Sequence, residues 1–155
     1  MVGESLKQYL DGNRVKYVTI KHSPAFTAME VAAAAHVPGK ELAKTVIVKL
    51  DGRMAMAVLP ASHRIVFDML TQATGTRRAE LTDEREFAAL FPECEPGAMP
   101  PFGNLYGMDV LVADTLAEDK EIAFNACSHS ELVRMPYTEF ARLAQPKVLK
   151  FTARV

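Results

Sequence analysis

The sequence predicts a mixed α/β fold in which short helices cover a sheet of both parallel and antiparallel strands. Helical and strand patterns interleave along the 155 residues. Two β-branched, apolar runs flank Asp51-Gly52, and a hairpin at this point excludes a purely parallel sheet. The length suits one domain over residues 1–155, with a core that needs no disulfide or metal to hold it.

The N-terminal half of the chain contains the clearest local signals. Thr27 and Glu30 form a capping-box pattern at the start of an alanine-rich helix, which ends at Val37-Pro38-Gly39. Apolar residues over 45–50 and 54–59 predict the two strands of the hairpin. The other elements predicted in this half are a helix over 5–10, a strand over 15–20, a helix over 65–73 that stops at Gly75, and a strand over 77–81.

The C-terminal half is predicted to continue the same alternation. A helix over 82–90 carries acidic residues in its first turn, where they complement the helix dipole. A helix over 136–144 begins with Pro136, whose fixed φ suits the first helical position. The strands of this half are predicted at 110–112, 121–125, 132–135 and 148–151.

Composition and charge exclude several classes of function. The formal net charge is −1, and the chain has no run of like charges of the kind that binds nucleic acid densely, although a local basic patch stays open. No apolar stretch reaches about 18 residues and the first six residues carry no leader pattern, so we expect a cytoplasmic protein without membrane contact. The two cysteines lack CxxC spacing and the four histidines form no paired motif, which argues against a metal site.

The strongest functional signal is the loop Gly97-Ala98-Met99-Pro100-Pro101-Phe102-Gly103, considered together with Lys44. The prolines fix φ and remove two donors, while the glycines allow conformations closed to other residues. Lys44 begins an apolar strand and shares a face with Val46 and Val48. A stiff loop and a lysine near the core predict a pocket for an anionic or ester-like group. The alternative is a solvated lysine whose stem covers apolar surface.

The segment 124–130 contains Cys127, Ser128 and His129 in a row. Neighbouring residues of an extended chain point to opposite faces, and no GxSxG elbow is present, so a serine hydrolase is not indicated. We expect Ser128 to cap a turn, His129 to be exposed or satisfied by a partner, and Cys127 to fill a small buried space. His22 follows a predicted strand, where it lines a pocket or faces solvent.

Several motifs follow one another in a fixed order: His22 with Ala25 and Thr27, Ala43-Lys44-Thr45, Ala57-Val58-Leu59-Pro60, the loop at 97–103, Phe124-Asn125-Ala126 and Ser128-His129. In this order they resemble the YbaK/ProX family of aminoacyl-tRNA deacylases, related to the editing domain inserted in some bacterial prolyl-tRNA synthetases. The resemblance covers about residues 6–151 and implies a barrel-like mixed sheet in a stand-alone editing domain. It also implies hydrolysis of the ester between a wrong amino acid and the terminal adenosine of tRNA, without metal, cofactor or covalent intermediate.

The resemblance implies a role for each site residue. Lys44 would contact the phosphate or ribose end of the substrate, and Gly97 to Pro101 would supply backbone groups around the ester; Lys44, Gly97 and Pro101 form the catalytic set. The implied partner is the acceptor end of aminoacyl-tRNA, and a synthetase is a further candidate partner. The substrate-binding set is His22, Thr27, Thr45, Met99, Pro100, Phe102, Gly103, Asn125, Ser128 and His129.

One departure from the family bears on specificity. Many relatives carry glycine where this chain has Cys127, in a Gly-Ser-His triplet, and if that glycine uses φ > 0 the cysteine alters the pocket. The family favours alanyl- or cysteinyl-tRNA(Pro), with seryl- or threonyl-tRNA open. The departure also keeps a non-catalytic module that binds aminoacyl-tRNA or a synthetase as the alternative. An enzyme that uses Lys44 as an amine nucleophile is a third interpretation.

Overall fold

A computed structural model describes residues 4–155, and its elements confirm the mixed α/β prediction. The first three residues, part of the stretch without a leader pattern, lie outside the described range. The helices are α1 (Glu4–Gly12), α2 (Ala28–Ala35), α3 (Phe67–Thr74), α4 (Glu84–Phe87), α5 (Asp114–Ala117) and α6 (Tyr137–Ala144). The strands are β1 (Val18–Lys21), β2 (Leu42–Leu50), β3 (Arg53–Pro60), β4 (His63–Ile65), β5 (Ala79–Leu81), β6 (Asp109–Ala113), β7 (Glu121–Asn125), β8 (Glu131–Pro136), β9 (Lys147–Leu149) and β10 (Thr152–Arg154).

The strands pair into one mixed sheet and one small ribbon. Within residues 4–155 the order across the large sheet is β1-β8-β7-β2-β3-β6-β9, and β5 also pairs with β2. The β2–β7, β3–β6 and β6–β9 pairs are parallel, whereas the other pairs are antiparallel. β4 and β10 form the two-stranded ribbon. β2 therefore lies in the middle of the large sheet, with β3 on one edge and both β7 and β5 on the other.

The β2–β3 hairpin forms where the sequence predicts it. Asp51 (φ 49°) and Gly52 (φ 85°) both lie in the left-handed region, as a two-residue type I′ turn requires. The turn sets a register in which Lys44 stands opposite Leu59. Because side chains alternate along a strand, the odd-numbered residues of β2 share one face of the sheet and the even-numbered residues share the other.

Each face of β2 packs on its own apolar clusters. Ala43 and Ile47 belong to the largest cluster of the protein. On the opposite face, Leu42 packs with residues of α2 in a second cluster, here called the α2 cluster. Val48 packs with residues of α3 in a third, called the α3 cluster. Lys44 lies between Leu42 and Val48 along this face of β2.

The structure contains three elements that the sequence does not predict: α5, β4 and β10. Each has only three or four residues, too few for a helical or alternating pattern to stand out. The helix predicted over 82–90 is shorter, because α4 ends at Phe87 and a 3₁₀ turn follows at Ala88–Leu90. The capping box of α2 forms as predicted, with Thr27 and Glu30 bonded to each other's backbone N–H.

Position 103 requires glycine because its neighbours leave no space for a Cβ atom, not because of its backbone angle. A Cβ built there would lie 2.7 Å from the carbonyl oxygen of Met108 and 2.8 Å from Cγ2 of Val110. Gly103→Ala should lower the free energy of unfolding by about 1–3 kcal/mol, because a packed neighbour must shift. The control is Gly12→Ala, since no heavy atom beyond the chain neighbours lies within 4 Å of that Cβ position. Equal urea midpoints for the two variants would contradict this packing role.

Candidate active site

The site is built around an open stretch of one strand edge. β7 pairs with β2 at Leu42 and Ala43, and β5 pairs with the same edge only from Val48 onward. Since β3 occupies the other edge, residues 44–46 have no strand partner on the β7/β5 side. Continuing the β2–β7 register by one residue brings Asn125 level with Lys44 and onto the same face of the sheet.

Lys44 is a half-buried cation without a counterion. Within residues 4–155 no carboxylate lies within ion-pair distance of its ammonium. Burial lowers the pKa of Lys44 from its ordinary value. Lys49, farther along the same strand, is paired with Glu86. The interpretation as a solvated edge lysine therefore suits Lys49, whereas Lys44 stays available to an anionic or partly negative group of a ligand.

The loop 97–103 is a predicted wall of the site, and in the structure it is held by the chain around Cys127. The N–H of Cys127 donates to the carbonyl of Ala98 (3.0 Å), and the N–H of Glu95 donates to the carbonyl of Cys127 (2.9 Å). Gly97 takes φ +82°, and Cε1 of His129 lies 3.6 Å from the position its Cβ would occupy. The residues that follow Gly97, from 98 to 103, are buried, so the loop is packed down rather than projecting into solvent.

Several backbone donors of this loop are unused. Within residues 4–155 the N–H groups of Gly97, Met99, Phe102 and Gly103 donate to no protein acceptor, while Pro100 and Pro101 have no N–H to donate. N–H groups held by a stiff loop cost no reorganisation when negative charge develops on a nearby oxygen. Gly97 and Met99 belong to the stretch 97–101 that is predicted to surround the ester, so their N–H groups are the candidate oxyanion donors.

Cys127 is buried, as predicted, and it is bonded to Cys94 in a disulfide that the sequence analysis did not predict. It also takes φ +65°, a left-handed conformation that favours glycine. The glycine of the family's Gly-Ser-His triplet suits this angle. Cysteine keeps the same backbone angle here and adds a covalent link between the segment before the loop and the segment after β7.

Ser128 and His129 are fixed by the chain around them. The hydroxyl of Ser128 accepts from the N–H of Ser130 (3.0 Å), which is the predicted turn cap. The main-chain N–H of His129 donates to Oε2 of Glu95 (2.9 Å), and Nε2 of its ring lies 2.6 Å from the carbonyl oxygen of Pro96. Because a carbonyl only accepts, Nε2 carries the proton and Nδ1 is the acceptor nitrogen of the neutral ring.

Four buried polar atoms of predicted substrate-binding residues have no hydrogen-bond partner within residues 4–155. They are Oγ1 of Thr45, Oδ1 of Asn125, Nδ1 of His129 and Nε2 of His22. A buried polar atom left unpaired costs about 1–3 kcal/mol, and folded proteins keep few of them. Residues outside this set also carry such atoms, among them Thr82, Thr115 and Tyr137. Of the four, Oδ1 of Asn125 is the one that lies level with Lys44, and it is the candidate contact for a polar group of a ligand.

Phe26 is a rim residue that the sequence analysis missed. Its side chain is 73% exposed, and its ring lies 5.0 Å from the ring of His129, centroid to centroid. The N–H of Ala25 donates to the carbonyl of His129 (3.2 Å), which ties the Phe26 segment to the same wall. A single aromatic residue just before a helix cap is too common a pattern to mark a site from sequence.

Three residues of the predicted substrate-binding set have structural roles among the described residues. Thr27 uses its hydroxyl to cap α2. Phe102 is fully buried and contacts three aromatic rings of the largest cluster. Gly103 is enclosed by Met108 and Val110. The structure therefore places Lys44 and Asn125 level with each other on one face at the open edge, with Thr45 on the opposite face, and leaves these three outside that edge.

The described part of the chain, residues 4–155, contains neither a metal-ligand cluster nor a membrane-spanning helix. Within residues 4–155 no group of three or more His, Cys, Asp or Glu side chains is arranged to hold a metal ion. No helix in that range is long and apolar enough to cross a bilayer.

Comparison of the sequence with known proteins gives a family and a relative. Residues 22–143 match the family model described as the aminoacyl-tRNA editing domain. The chain is 32% identical over 115 residues to the multifunctional Ser/Thr-tRNA deacylase ProXp-y of Escherichia coli strain K12, and the alignment covers 70% of this chain and 68% of that protein. The corresponding protein of Escherichia coli O157:H7 matches with the same figures.

Comparison of the structure with solved structures supports the fold. A hypothetical protein superposes with a TM-score of 0.85 at 20% identity, covering 97% of this chain and 100% of that one. A candidate trans-editing enzyme for prolyl-tRNA synthetase superposes with a TM-score of 0.78 at 17% identity, covering 97% of this chain and 96% of that one. At these identities the likeness establishes the architecture alone.

Proposed function

The chain belongs to the aminoacyl-tRNA editing domain family and is a hydrolase of the aminoacyl-tRNA deacylase class, and we propose that its preferred substrate is tRNA mischarged with serine or threonine. The observation that carries the choice of amino acid is the buried, unpaired Oδ1 of Asn125, level with Lys44 at the open edge. A side-chain hydroxyl gives this acceptor a donor, whereas an alanyl group would leave it unpaired. The Escherichia coli relative named for Ser/Thr-tRNA supports the same choice.

Polar recognition discriminates more strongly than apolar size does. One methylene in an apolar pocket is worth about 1–3 kcal/mol, whereas a site built to hydrogen-bond a hydroxyl rejects the analogue that lacks it far more strongly. Asn125 provides such a hydrogen-bonding group on the face that carries Lys44, whereas the hydroxyl of Thr45 lies on the opposite face. This arrangement shifts the preference away from the alanyl and cysteinyl esters that the family resemblance favours, toward the seryl and threonyl esters.

Hydrolysis of an aminoacyl ester requires few catalytic groups, because the ester is already activated. Holding a water near the carbonyl carbon and stabilising the oxyanion supply most of the acceleration. In our proposal the ammonium of Lys44 and the N–H groups of Gly97 and Met99 stabilise negative charge, and the 2′-hydroxyl of the substrate takes part in proton transfer. Pro100 and Pro101 keep the donors in one conformation.

A panel of mischarged tRNAs tests the proposal. Hydrolysis of Ser-, Thr-, Ala- and Cys-tRNA, with Ala and Cys also on tRNA(Pro), is compared with hydrolysis of correctly charged Pro-tRNA(Pro). We expect the seryl or threonyl ester to be cleaved at least about 10-fold faster than the alanyl ester. Preferential cleavage of the alanyl or cysteinyl ester overturns the choice of amino acid. Binding without cleavage of any ester overturns the deacylase proposal for this chain and favours the non-catalytic module.

Phe26→Ala is expected to raise KM for aminoacyl-tRNA by about 5- to 100-fold with little change in kcat, because stacking of a base on an aromatic ring is worth about 1–3 kcal/mol. Phe26 is exposed, so the fold should tolerate the change. Phe26→Tyr keeps a ring and should retain most of the affinity. Val18→Ala removes an apolar side chain of similar exposure, 57%, on β1 and should leave KM unchanged. A loss of kcat alone in Phe26→Ala would contradict the stacking role.

We further propose that the whole chain works as one editing domain. The family match over residues 22–143 includes Lys44, the loop 97–103 and the Ser128-His129 wall. The acceptor end of tRNA is the partner this arrangement requires, and a synthetase partner stays a prediction from the resemblance.

A further inference from the structure

A basic cleft is lined by residues that are not part of the candidate active site. It has a volume of about 450 Å³, and its walls include Met29, Gly39 and Lys40 on one side and Ser62, His63 and Arg154 on the other. The lining contains no carboxylate. The cleft is therefore a concave surface on which every ionisable side chain is basic.

The two permanent cations of the cleft form no direct ion pair within the described chain. Within residues 4–155 neither Lys40 nor Arg154 forms an ion pair or a side-chain hydrogen bond. His63 is held by a hydrogen bond between its Nδ1 and Oγ1 of Thr152 (2.9 Å), and it stands opposite Arg154 in the β4–β10 ribbon. The ribbon thus places His63 and Arg154 on the same wall of the cleft.

The cleft opens beside the strand that carries Lys44. The N–H of Ala61 donates to the carbonyl of Leu42 (2.8 Å), which joins the Ser62–His63 wall to the start of β2. Burial, the guanidinium of Arg154 and the ammonium of Lys44 lower the pKa of His63 from its ordinary value, against the opposite effect of Asp114. Lys44 and the cleft therefore contribute to one positive field on the same side of the sheet.

Most of the acidic residues near the cleft lie beside Lys40. Lys40 also lines a hollow that contains Glu41, Glu118, Asp119 and Glu121 together with Lys120. Burial and the carboxylate of Glu41 raise the pKa of Asp119 to about 6, and Lys40 acts in the opposite direction. An anionic chain that leaves Lys44 is repelled from this hollow and attracted toward Arg154.

We propose that the cleft binds the phosphodiester groups of the single-stranded acceptor end of tRNA, through Lys40 and Arg154, as the strand leaves the ester site at Lys44. This inference rests on the proposed function, because it assumes that the ester is presented by an RNA. A point charge and a planar guanidinium are both suited to phosphate oxygens. Two phosphate contacts also agree with a chain whose net charge is −1 and which grips only the end of an RNA.

The test is binding of an uncharged RNA minihelix that ends in single-stranded CCA, measured at several KCl concentrations. For the Lys40→Ala, Arg154→Ala double variant we expect Kd to rise at least about 10-fold and the slope of log Kd against log salt to fall by about 1 to 2. A matched double variant, Lys16→Ala with Arg77→Ala, removes one lysine and one arginine that are exposed and lie outside the cleft. Its Kd and salt slope should equal those of the wild type.

Each outcome decides the proposal. Equal Kd and salt slope for the cleft variant and the wild type would overturn it, and so would an equal rise in Kd for the cleft variant and the matched control variant. Urea midpoints of both double variants report whether the exposed substitutions alter folding. Because uncharged RNA is the probe, the result does not depend on ester cleavage, so failure of the deacylase proposal in the tRNA panel is distinguished from failure of the cleft.

Discussion

Lys44→Ala is expected to lower kcat/KM for the preferred aminoacyl-tRNA by about 100- to 1000-fold, the scale on which loss of one oxyanion-stabilising group acts. The ammonium of Lys44 is half-buried, has no carboxylate partner among residues 4–155 and lies level with Asn125 at the open edge of β2. It is therefore available to stabilise negative charge on the substrate. The matched control is Lys49→Ala, which removes a lysine of the same strand that is paired with Glu86. Normal turnover by Lys44→Ala, or an equal loss in both variants, would contradict the assignment.

Removing the charge of Lys44 should also stabilise the fold. Burial lowers the pKa of Lys44, so the folded chain binds this proton less tightly than the unfolded chain, and the charged lysine opposes folding below its folded-state pKa. Lys44→Met keeps an apolar stem and is expected to raise the urea midpoint at pH 7. That advantage should shrink as the pH rises from the lowered pKa toward the ordinary value of 10.5. An inactive variant that is more stable than the wild type separates a functional lysine from a structural one.

The elements that the sequence predicts well depend on residues close to one another in the chain. The capping box of α2 needs only Thr27 and Glu30, three positions apart, and the hairpin needs only the Asp51-Gly52 turn between two apolar runs. Alternation along β2 also correctly assigns Lys44 to the face that it shares with Val46 and Val48. In each case the energetic preference is local, so the pattern is visible before the fold is known.

The open edge could not be predicted, because it depends on where two distant strands stop. β7 ends at Asn125 and β5 begins its pairing opposite Val48, and only their joint positions expose residues 44–46. Phe102 shows a second limit. A motif assigns the residue to the site loop, but packing decides whether its side chain faces a ligand or the core, and here it lies in the core.

The disulfide between Cys94 and Cys127 should be worth about 3–4 kcal/mol of unfolding free energy, because the cysteines are 33 residues apart and the bond restricts the unfolded chain. Under oxidising conditions the wild type should therefore unfold at a higher urea concentration than Cys94→Ser. After reduction with dithiothreitol the two midpoints should converge. Midpoints that do not respond to dithiothreitol in the wild type would contradict a stabilising bond.

Cys127→Gly and Cys127→Ala separate the crosslink from the backbone angle. Both variants lose the disulfide, but only alanine carries a Cβ into the left-handed conformation, φ +65°, that this position adopts. A residue with a Cβ costs about 1–2 kcal/mol in that conformation, so we expect the order of stability to be oxidised wild type, then Cys127→Gly, then Cys127→Ala. Equal urea midpoints for the glycine and alanine variants would contradict the view that glycine is favoured here because of the left-handed backbone angle.

The same pair of variants connects this turn to catalysis. The N–H of Cys127 donates to the carbonyl of Ala98 in the loop, and the carbonyl of Cys127 accepts from the N–H of Glu95 just before the loop. The angle at 127 therefore determines whether the unused N–H groups of Gly97 and Met99 are held in position. Cys127→Gly should keep kcat close to that of the oxidised wild type, whereas Cys127→Ala should lose kcat as well as stability. If kcat instead follows the disulfide alone, low in both variants, then the crosslink rather than the left-handed turn organises the oxyanion donors.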